Sequence, residues 1–249
     1  YNKANRYTKQ GVAITPVKYG ISRADYSSGA LVCVYQDGSV LVSVGGSEIG
    51  QGLGTKVALV VAQTLDVSLD NVSVGPNETS KIPNNTPTGG SGTSECCAQA
   101  AIEACLQLNE RLAPFRTSGV SFSEAVAKAF TANVSLLSSA WVHQENGNNN
   151  TNTYATYGTG IAQVLIDVLT GEVRVERVDV LMDLGNQLDA AVDIGQLQGG
   201  FMIALGHMLT EEELVDPLGK QLNLGSWEYK IPSAYDIPLK FYVSLLQNS

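Results

Sequence analysis

Side chains that commonly carry catalysis are sparse in this sequence. Of its two histidines, His207 lies in an apolar stretch and is predicted to be packed, and His143 borders an asparagine-rich segment. The chain has no Gly-x-Ser-x-Gly nucleophile elbow and no His-Glu-x-x-His zinc motif. The acids nearest to glycine-rich segments, Glu48 and Asp183, are predicted to accept hydrogen bonds that order their loops. This distribution favours a protein that grips a cofactor over one that reacts through its own side chains.

The first glycine-rich loop has the pattern of an anion-binding turn. Val40–Val44 predicts a buried strand, and Lys56–Leu65 predicts a mostly buried helix. The glycines between them are Gly45, Gly46, Gly50, Gly52 and Gly54. Glycine admits close backbone approach and the first N–H groups of a helix lack helical partners, so we expect the loop to hold an anionic group. Neither nucleotide motif fits, because Thr55 stands where a dinucleotide fingerprint needs glycine and Gly54-Thr55-Lys56 does not complete a P-loop.

Two further glycine-rich segments also lead into predicted helices. Residues 86–95 (TPTGGSGTSE) open a helix over Ser94–Leu112, for which Thr93 or Ser94 is the predicted cap. A simple loop-to-helix cap is the alternative interpretation of this segment, although three glycines in four residues exceed what a cap requires. Asp183-Leu184-Gly185 leads to a helix over Ala190–Thr210, whose four glycines predict close backbone approach.

The remaining pattern predicts an α+β fold with mixed sheets and packed helices. Asp37-Gly38 and Leu169-Thr170-Gly171 each lie between apolar runs and predict hairpins. Val72–Val74 follows the first helix as another strand, which indicates a crossover connection. The asparagine-rich segment Gln144–Thr153 is predicted to be exposed, and two lobes, residues 1–143 and 154–249, are possible around it. The other predicted elements are strands at 11–16, 30–35, 134–142, 161–168 and 172–180, a helix at 122–130 and a final strand near the C-terminus.

Composition limits the possible partners and compartments. The 249 residues carry a net charge of −9 and no basic block, so nucleic acid and membrane are not expected partners. The four cysteines, Cys33, Cys96, Cys97 and Cys105, are predicted to be buried free thiols of a reduced compartment, which predicts a cytoplasmic location. The chain begins without Met or a signal-peptide core, which predicts a piece of a longer protein.

Four motifs, in order, resemble those of the molybdenum hydroxylases, the xanthine dehydrogenase and aldehyde oxidase family. Gly45-Gly46-Ser47-Glu48-Ile49-Gly50-Gln51-Gly52 is similar to the family signature Gly-Gly-x-Glu-x-Gly-Gln-Gly. The resemblance continues through residues 84–91 (NNTPTGGS), through Asp183-Leu184-Gly185 to residues 193–196 (DIGQ), and ends in residues 229–238. It covers nearly the whole chain, and it implies part of a molybdopterin-binding domain.

The resemblance also implies which residues bind the cofactor. Gln51 is expected to hydrogen-bond the molybdopterin, with Gly50 and Gly52 admitting its backbone, and Gln196 is expected to approach the pterin. A backbone amide at Gly90 is expected beside the metal. The residues expected to wrap the cofactor in the second loop are Gly89, Gly90, Ser91, Gly92 and Thr93. Gln51, Gly90 and Gln196 are accordingly expected to line one cleft.

The chain also departs from the family pattern. The family's catalytic glutamate lies in a Gly-Glu-Pro-Pro motif beyond the matching segment, so no catalytic residue is expected in this chain and the isolated chain is expected to be inactive. Arg23, Ala24 and Tyr26 stand in a shortened loop where purine-oxidising members have an aromatic residue, and they are the candidate substrate residues. Alanine is common in such members at Gly90, so Gly90→Ala is predicted to be tolerated and Gly90→Val is not.

The resemblance implies an oxidative hydroxylation of aldehydes or N-heterocycles with oxygen derived from water. Electrons would pass to 2Fe-2S and FAD centres elsewhere in the full protein. The expected partners are the remainder of the molybdenum region, the iron–sulfur and FAD domains, and a second copy in a homodimer. The alternative is a non-catalytic truncated paralogue that serves as a structural partner. A third interpretation, an unrelated nucleotide-binding domain, is disfavoured because both nucleotide motifs fail.

Overall fold

The chain forms two compact units. The computed structural model describes residues 1–21, 26–144 and 154–246. One unit, here called the glycine-loop unit, comprises residues 20–155, and the second unit joins residues 1–19 to residues 156–249. Most of the asparagine-rich segment lies outside the described residues, so the lobes predicted around it stay a prediction.

Within the described ranges, eight strands and four α-helices confirm the predicted α+β fold class. The strands are β1 (Thr8–Ile21), β2 (Tyr26–Val34), β3 (Val40–Val44), β4 (Val72–Val74), β5 (Leu137–Gln144), β6 (Tyr154–Asp167), β7 (Val173–Asp183) and β8 (Lys240–Leu245). The helices are α1 (Leu53–Leu65), α2 (Thr93–Leu112), α3 (Phe122–Thr131) and α4 (Ala190–Leu209).

The glycine-loop unit is built on a four-stranded sheet in the order β4-β3-β2-β5. The Asp37-Gly38 turn joins β2 to β3 as an antiparallel hairpin, as predicted. Helix α1 connects β3 to the parallel strand β4, which confirms the predicted crossover. The valines of β2 and β3 are buried together with the apolar residues of α1 and α2, because the alternation along the two paired strands points these valines to the same face of the sheet, the face that the helices cover.

Helix α2 packs against this sheet through its small residues. Ala100, Ala101 and Ala104 are completely buried together with Cys97 and Cys105, and such small side chains permit close approach of the helix to the strands. All four cysteines are free thiols, and three of them are buried, as predicted. Cys33 is only half-buried. Burial raises the pKa of the Cys105 thiol to about 12.

The second unit is built on a sheet in the order β1-β6-β7-β8. Strands β6 and β7 form the predicted antiparallel hairpin around residues 169–171, and β8 runs parallel to β7. Helix α4 packs against β8, where Phe201 contacts Phe241 at a ring-centroid distance of 5.1 Å. The prediction that His207 is packed is wrong, because its side chain is exposed on α4.

The glycines of α4 confirm only part of the predicted close approach. A side chain at Gly206 would overlap Glu211 and would lie 2.5 Å from Pro232, so glycine is required there. At Gly195, Gly199 and Gly200, no atom of the described residues lies within 4 Å of the position a Cβ would take.

Candidate functional site

The loop between β3 and α1 is ordered by one carboxylate. The Glu48 Oε1 accepts hydrogen bonds from the backbone N–H groups of Gly50 (2.9 Å) and Gly52 (3.0 Å), and Oε2 accepts one from Gly54 (3.2 Å). The prediction that Glu48 orders its loop is therefore confirmed. The negative charge at the start of α1 is therefore supplied by the Glu48 side chain. In a phosphate-binding loop, by contrast, the N–H groups at this place bind the phosphate. Because the N–H groups bound by Glu48 are held in place, α1 begins at Leu53, three residues before the predicted start.

The same contacts set the protonation of Glu48. Burial raises the pKa of this carboxyl, but hydrogen bonds from the backbone N–H groups of Gly54, Gly52, Gly50 and Leu53 together outweigh that effect and lower the pKa below its ordinary value. Glu48 is thus held as a carboxylate, which is the form that can accept all of these hydrogen bonds.

Gln51 spans the turn with both ends of its side-chain amide. Its Oε1 accepts a hydrogen bond from the Ile49 N–H (2.7 Å), and its Nε2 donates to the Ser47 carbonyl (2.8 Å). A primary amide has two N–H donors and two acceptor lone pairs, so these contacts use half of its capacity. One donor and one lone pair are left for a ligand, while the other two fix the orientation of the amide.

The first and second glycine loops meet within the glycine-loop unit. The Ser47 N–H donates to the Thr88 hydroxyl at 2.8 Å. Gly46 lies so close to the start of α2 that a Cβ there would be 2.5 Å from the Thr93 Cγ2 and 2.8 Å from the Leu53 Cδ2. Asn85 approaches Gly45 closely enough to exclude any side chain at that glycine. Two of the three predicted loops therefore converge.

Helix α2 begins without a side-chain cap, in contrast to the prediction. Gly92 takes the cap position, so Thr93 is the first helical residue and neither Thr93 nor Ser94 caps the helix. The Thr93 side chain is only 6% exposed, and no atom of the described residues hydrogen-bonds to its hydroxyl. An unpaired buried hydroxyl is costly, and a ligand at the start of α2 would satisfy it. Helix α4 differs, since Asp189 accepts hydrogen bonds from Ala191 (2.9 Å) and Val192 (3.2 Å) at its start.

Tyr26 lies against the second loop. Its hydroxyl donates a hydrogen bond to the Gly89 carbonyl, and a Cβ at Gly92 would be 3.0 Å from its ring. A Cβ at Gly90 would collide with the same hydroxyl, and Gly90 has a left-handed φ of +58°. Both observations contradict the prediction that Gly90→Ala is tolerated, because alanine rarely adopts this conformation and has no room here.

The other predicted site residues are only partly placed together. Arg23 and Ala24 lie outside the described residues. Gln196 lies in α4 of the second unit, so its position beside Gln51 and Gly90 stays a prediction. Asp183 accepts a hydrogen bond from the Gly185 N–H at 3.0 Å, which confirms it as a loop-ordering residue.

Sequence reasoning missed the residues that tie the loops together. Thr86 exchanges two hydrogen bonds with Ser27 of β2, through its hydroxyl at 2.9 Å and its N–H at 3.0 Å. Asn77 donates from its side chain to the Gly46 carbonyl. Nothing in the local sequence signals these contacts, because the partners are tens of residues apart.

The site suits a ligand that is bound largely by backbone and amide groups. Among the described residues, its unused hydrogen-bonding groups include one donor and one lone pair of the Gln51 amide, the Thr93 hydroxyl and the buried Asn85 Oδ1. Within the described ranges, no three His, Cys, Asp or Glu side chains are grouped so that they could hold a metal ion themselves. No described helix is both long and apolar enough to span a bilayer.

These features are those of a cofactor-binding domain, and comparison with known proteins identifies the family. The molybdopterin cofactor-binding domain family matches residues 1–238, so the chain belongs to that family. It is 40% identical over 259 residues to a xanthine dehydrogenase of Drosophila pseudoobscura pseudoobscura and 39% identical over 270 residues to one of Oryza sativa subsp. japonica. Each alignment covers 99% of this chain but only 19% of the relative. The chain therefore spans about a fifth of the length of these relatives.

Solved structures have the same fold. The quinoline 2-oxidoreductase of Pseudomonas putida 86 superposes with a TM-score of 0.84 at 20% identity, over 98% of this chain and 35% of that chain. The aldehyde oxidoreductase of Desulfovibrio desulfuricans superposes with a TM-score of 0.78 at 24% identity, over 99% of this chain and 27% of that chain. At these identities the likeness shows the fold alone.

Proposed function

We propose that this chain is the molybdopterin-holding part of a molybdenum hydroxylase. The observation that carries the proposal is the meeting of the two glycine loops, whose Gln51 amide and buried Thr93 hydroxyl keep unused hydrogen-bonding capacity among the described residues. Family membership supports the cofactor as the ligand that uses this capacity.

Each loop has a distinct part in holding the cofactor. Gln51, with Gly50 and Gly52 beside it, hydrogen-bonds the pterin, because its amide is already oriented by Ser47 and Ile49. The second loop supplies the Thr93 hydroxyl and the backbone of residues 89–92, with the Gly90 amide nearest to the metal. Gln196 of the second unit completes the set. When bound, the cofactor supplies the two-electron redox chemistry of the molybdenum, which these side chains cannot provide.

In this proposal, the substrate and the partners are inferred from the relatives. The substrate is an aldehyde or an N-heterocycle, which is hydroxylated with oxygen from water. The electrons pass to 2Fe-2S and FAD groups in other parts of the full-length protein, which we propose is a cytoplasmic homodimer. Support comes from the relatives, which are named xanthine dehydrogenases.

The test uses the full-length native protein. Metal and pterin analysis should find one molybdenum and one molybdopterin per protomer. Turnover of an aldehyde or a purine in ¹⁸O-labelled water should place the label in the product. Stoichiometric cofactor without turnover of any such substrate would favour the structural-partner alternative, and absence of both metal and pterin would contradict the proposal.

A further inference from the structure

The ring of Tyr26 occupies the space above the second glycine loop. A Cβ on Gly92 would lie 3.0 Å from the Cδ2 and Cε2 atoms of the ring and 3.1 Å from its Cζ. The hydroxyl reaches the Gly89 carbonyl and takes the place that a Gly90 side chain would need. One side chain thus hydrogen-bonds Gly89 and fills the space that side chains at Gly90 and Gly92 would need.

The loop needs this support because its backbone conformation is unfavourable. Gly90 (φ +58°) and Ser91 (φ +62°) are both left-handed, and Ser91 has a side chain that disfavours this region. Residues 89–91 are exposed, so the apolar core does not fix them. A contact that holds the carbonyl of Gly89 therefore restrains the peptide immediately before the two left-handed residues.

Tyr26 is itself fixed by the sheet. It is the first residue of β2 and pairs with Gln144 of β5. The next residue, Ser27, forms the two hydrogen bonds to Thr86 described above, at the other end of the same loop. The start of β2 consequently holds residues 86–92 at both ends, Thr86 by its hydrogen bonds to Ser27 and Gly89–Gly92 by the aromatic side chain of Tyr26.

We propose that Tyr26 is a positioning residue that holds the Gly89–Gly92 loop in its cofactor-binding conformation. The lack of side chains at Gly90 and Gly92 then makes room for the tyrosine side chain, as well as for the ligand. This inference deepens the proposed function, on which its cofactor measurement rests. In this role Tyr26 acts on the cofactor indirectly, by positioning the loop. The role is separate from the prediction that Tyr26 contacts the substrate.

The first experiment measures backbone amide hydrogen exchange of residues 88–93 in the cofactor-free full-length protein. Tyr26→Phe keeps the ring and removes only the hydroxyl, so exchange should become about 2- to 10-fold faster, as expected for one lost hydrogen bond. The matched control is Tyr35→Phe, since Tyr35 is exposed just after β2 in the same unit. Unchanged exchange in Tyr26→Phe, or an equal increase in the control, would overturn the proposal.

The fit between Tyr26 and Gly90 is tested with Gly90→Ala, Tyr26→Ala and their double variant, using the same readout. Gly90→Ala alone should accelerate exchange of the loop. In the double variant, the added effect of Gly90→Ala should be smaller than in the wild-type background, because the collision with the tyrosine is absent. Fully additive effects would show that Tyr26 does not constrain residue 90, and would overturn this part of the proposal.

The cofactor measurement separates this inference from the proposed function. In the loaded protein, Tyr26→Phe should release molybdopterin several-fold faster than Tyr35→Phe, with the melting temperature unchanged. If Tyr26→Phe accelerates amide exchange of the loop but leaves the molybdopterin release rate unchanged, the claim that this loop conformation binds the cofactor is overturned. If the wild type contains no molybdopterin, the proposed function fails, whereas faster exchange in Tyr26→Phe alone would still support its hold on the loop.

Discussion

The backbone N–H of Gly52 donates a hydrogen bond of 3.0 Å to the Glu48 carboxylate, at the point where α1 begins. The N–H groups of Gly50 and Gly54 are bound to the same carboxylate. Helix α1 therefore carries its own counter-charge. Helix α2 starts beside it, and no described side chain caps α2 or hydrogen-bonds the Thr93 hydroxyl. The two adjacent helix starts consequently differ in role. The N–H groups before α1 are bound by Glu48, whereas α2 begins with a hydroxyl that is available to hydrogen-bond a ligand.

Removal of this carboxylate should loosen the first loop. Glu48→Ala takes away the acceptor of three N–H groups, and loss of a helix cap costs about 1 kcal/mol, which corresponds to roughly fivefold faster amide exchange at residues 50–56. Glu48→Gln should have a smaller effect, because the amide keeps one acceptor oxygen but presents an N–H₂ group towards Gly54. Glu110→Gln on the exposed side of α2 is the charge-matched control, and an equal effect there would contradict the local role of Glu48.

The contribution of Glu48 should depend on pH. Its pKa in the folded protein is lower than the ordinary 4.5. A depressed carboxyl pKa stabilises the fold fully above the unfolded value, and this stabilisation is lost as the pH falls through the folded value. The difference in melting temperature between wild type and Glu48→Gln should therefore be constant from pH 7 to about 5 and shrink below pH 4.5. A difference that persists or grows down to pH 3 would refute this assignment.

The close approach of the two loops should make Gly46 intolerant of a side chain. Gly46→Ala places a methyl group 2.5 Å from Thr93 and 3.0 Å from the Cys97 Sγ, and such overpacking costs about 1–3 kcal/mol. Gly54→Ala is the control, because its nearest neighbour would be the Val74 Cγ1 at 3.9 Å and alanine favours helix. Thermal unfolding should show a lower melting temperature for Gly46→Ala only. Equal melting temperatures for both variants would mean that the loops have room to separate.

The buried thiols should be unreactive in the folded protein. Burial raises the pKa of Cys105 to about 12. Burial also raises the pKa of Cys97, and the hydrogen bond between its thiol and the Ser28 hydroxyl (3.0 Å) only partly offsets that effect. At pH 8 the thiolate fraction of Cys105 should limit alkylation to a rate on the order of a thousandfold below that of the unfolded chain. Mass spectrometry after iodoacetamide treatment measures this rate site by site. Labelling of Cys105 as fast as that of half-buried Cys33 would contradict the packing of α2.

Local patterns were sufficient to predict several elements, and they failed where contacts are distant. Strands β3 and β4 have the predicted bounds, because short valine-rich runs have distinct ends. Strand β6 begins at Tyr154, whereas the predicted strand began at Ile161. The prediction was too short because the glycines and threonines before Ile161 interrupt the apolar run. The pairing of Tyr26 with Gly89 and of Ser47 with Thr88 joins segments that are far apart in sequence, and no periodicity encodes it.

The most direct test of the central claim is the molybdopterin content of full-length Thr93→Val compared with wild type. Valine keeps the shape of threonine and removes the buried hydroxyl, which has no partner in the described part of the chain. The melting temperature of the cofactor-free protein should stay the same or rise, because an unpaired buried polar group is lost. We predict that wild type contains one molybdopterin per protomer and that Thr93→Val binds it several-fold more weakly. Equal molybdopterin affinity in the two proteins, or none in wild type, would contradict the claim that these glycine loops hold the cofactor.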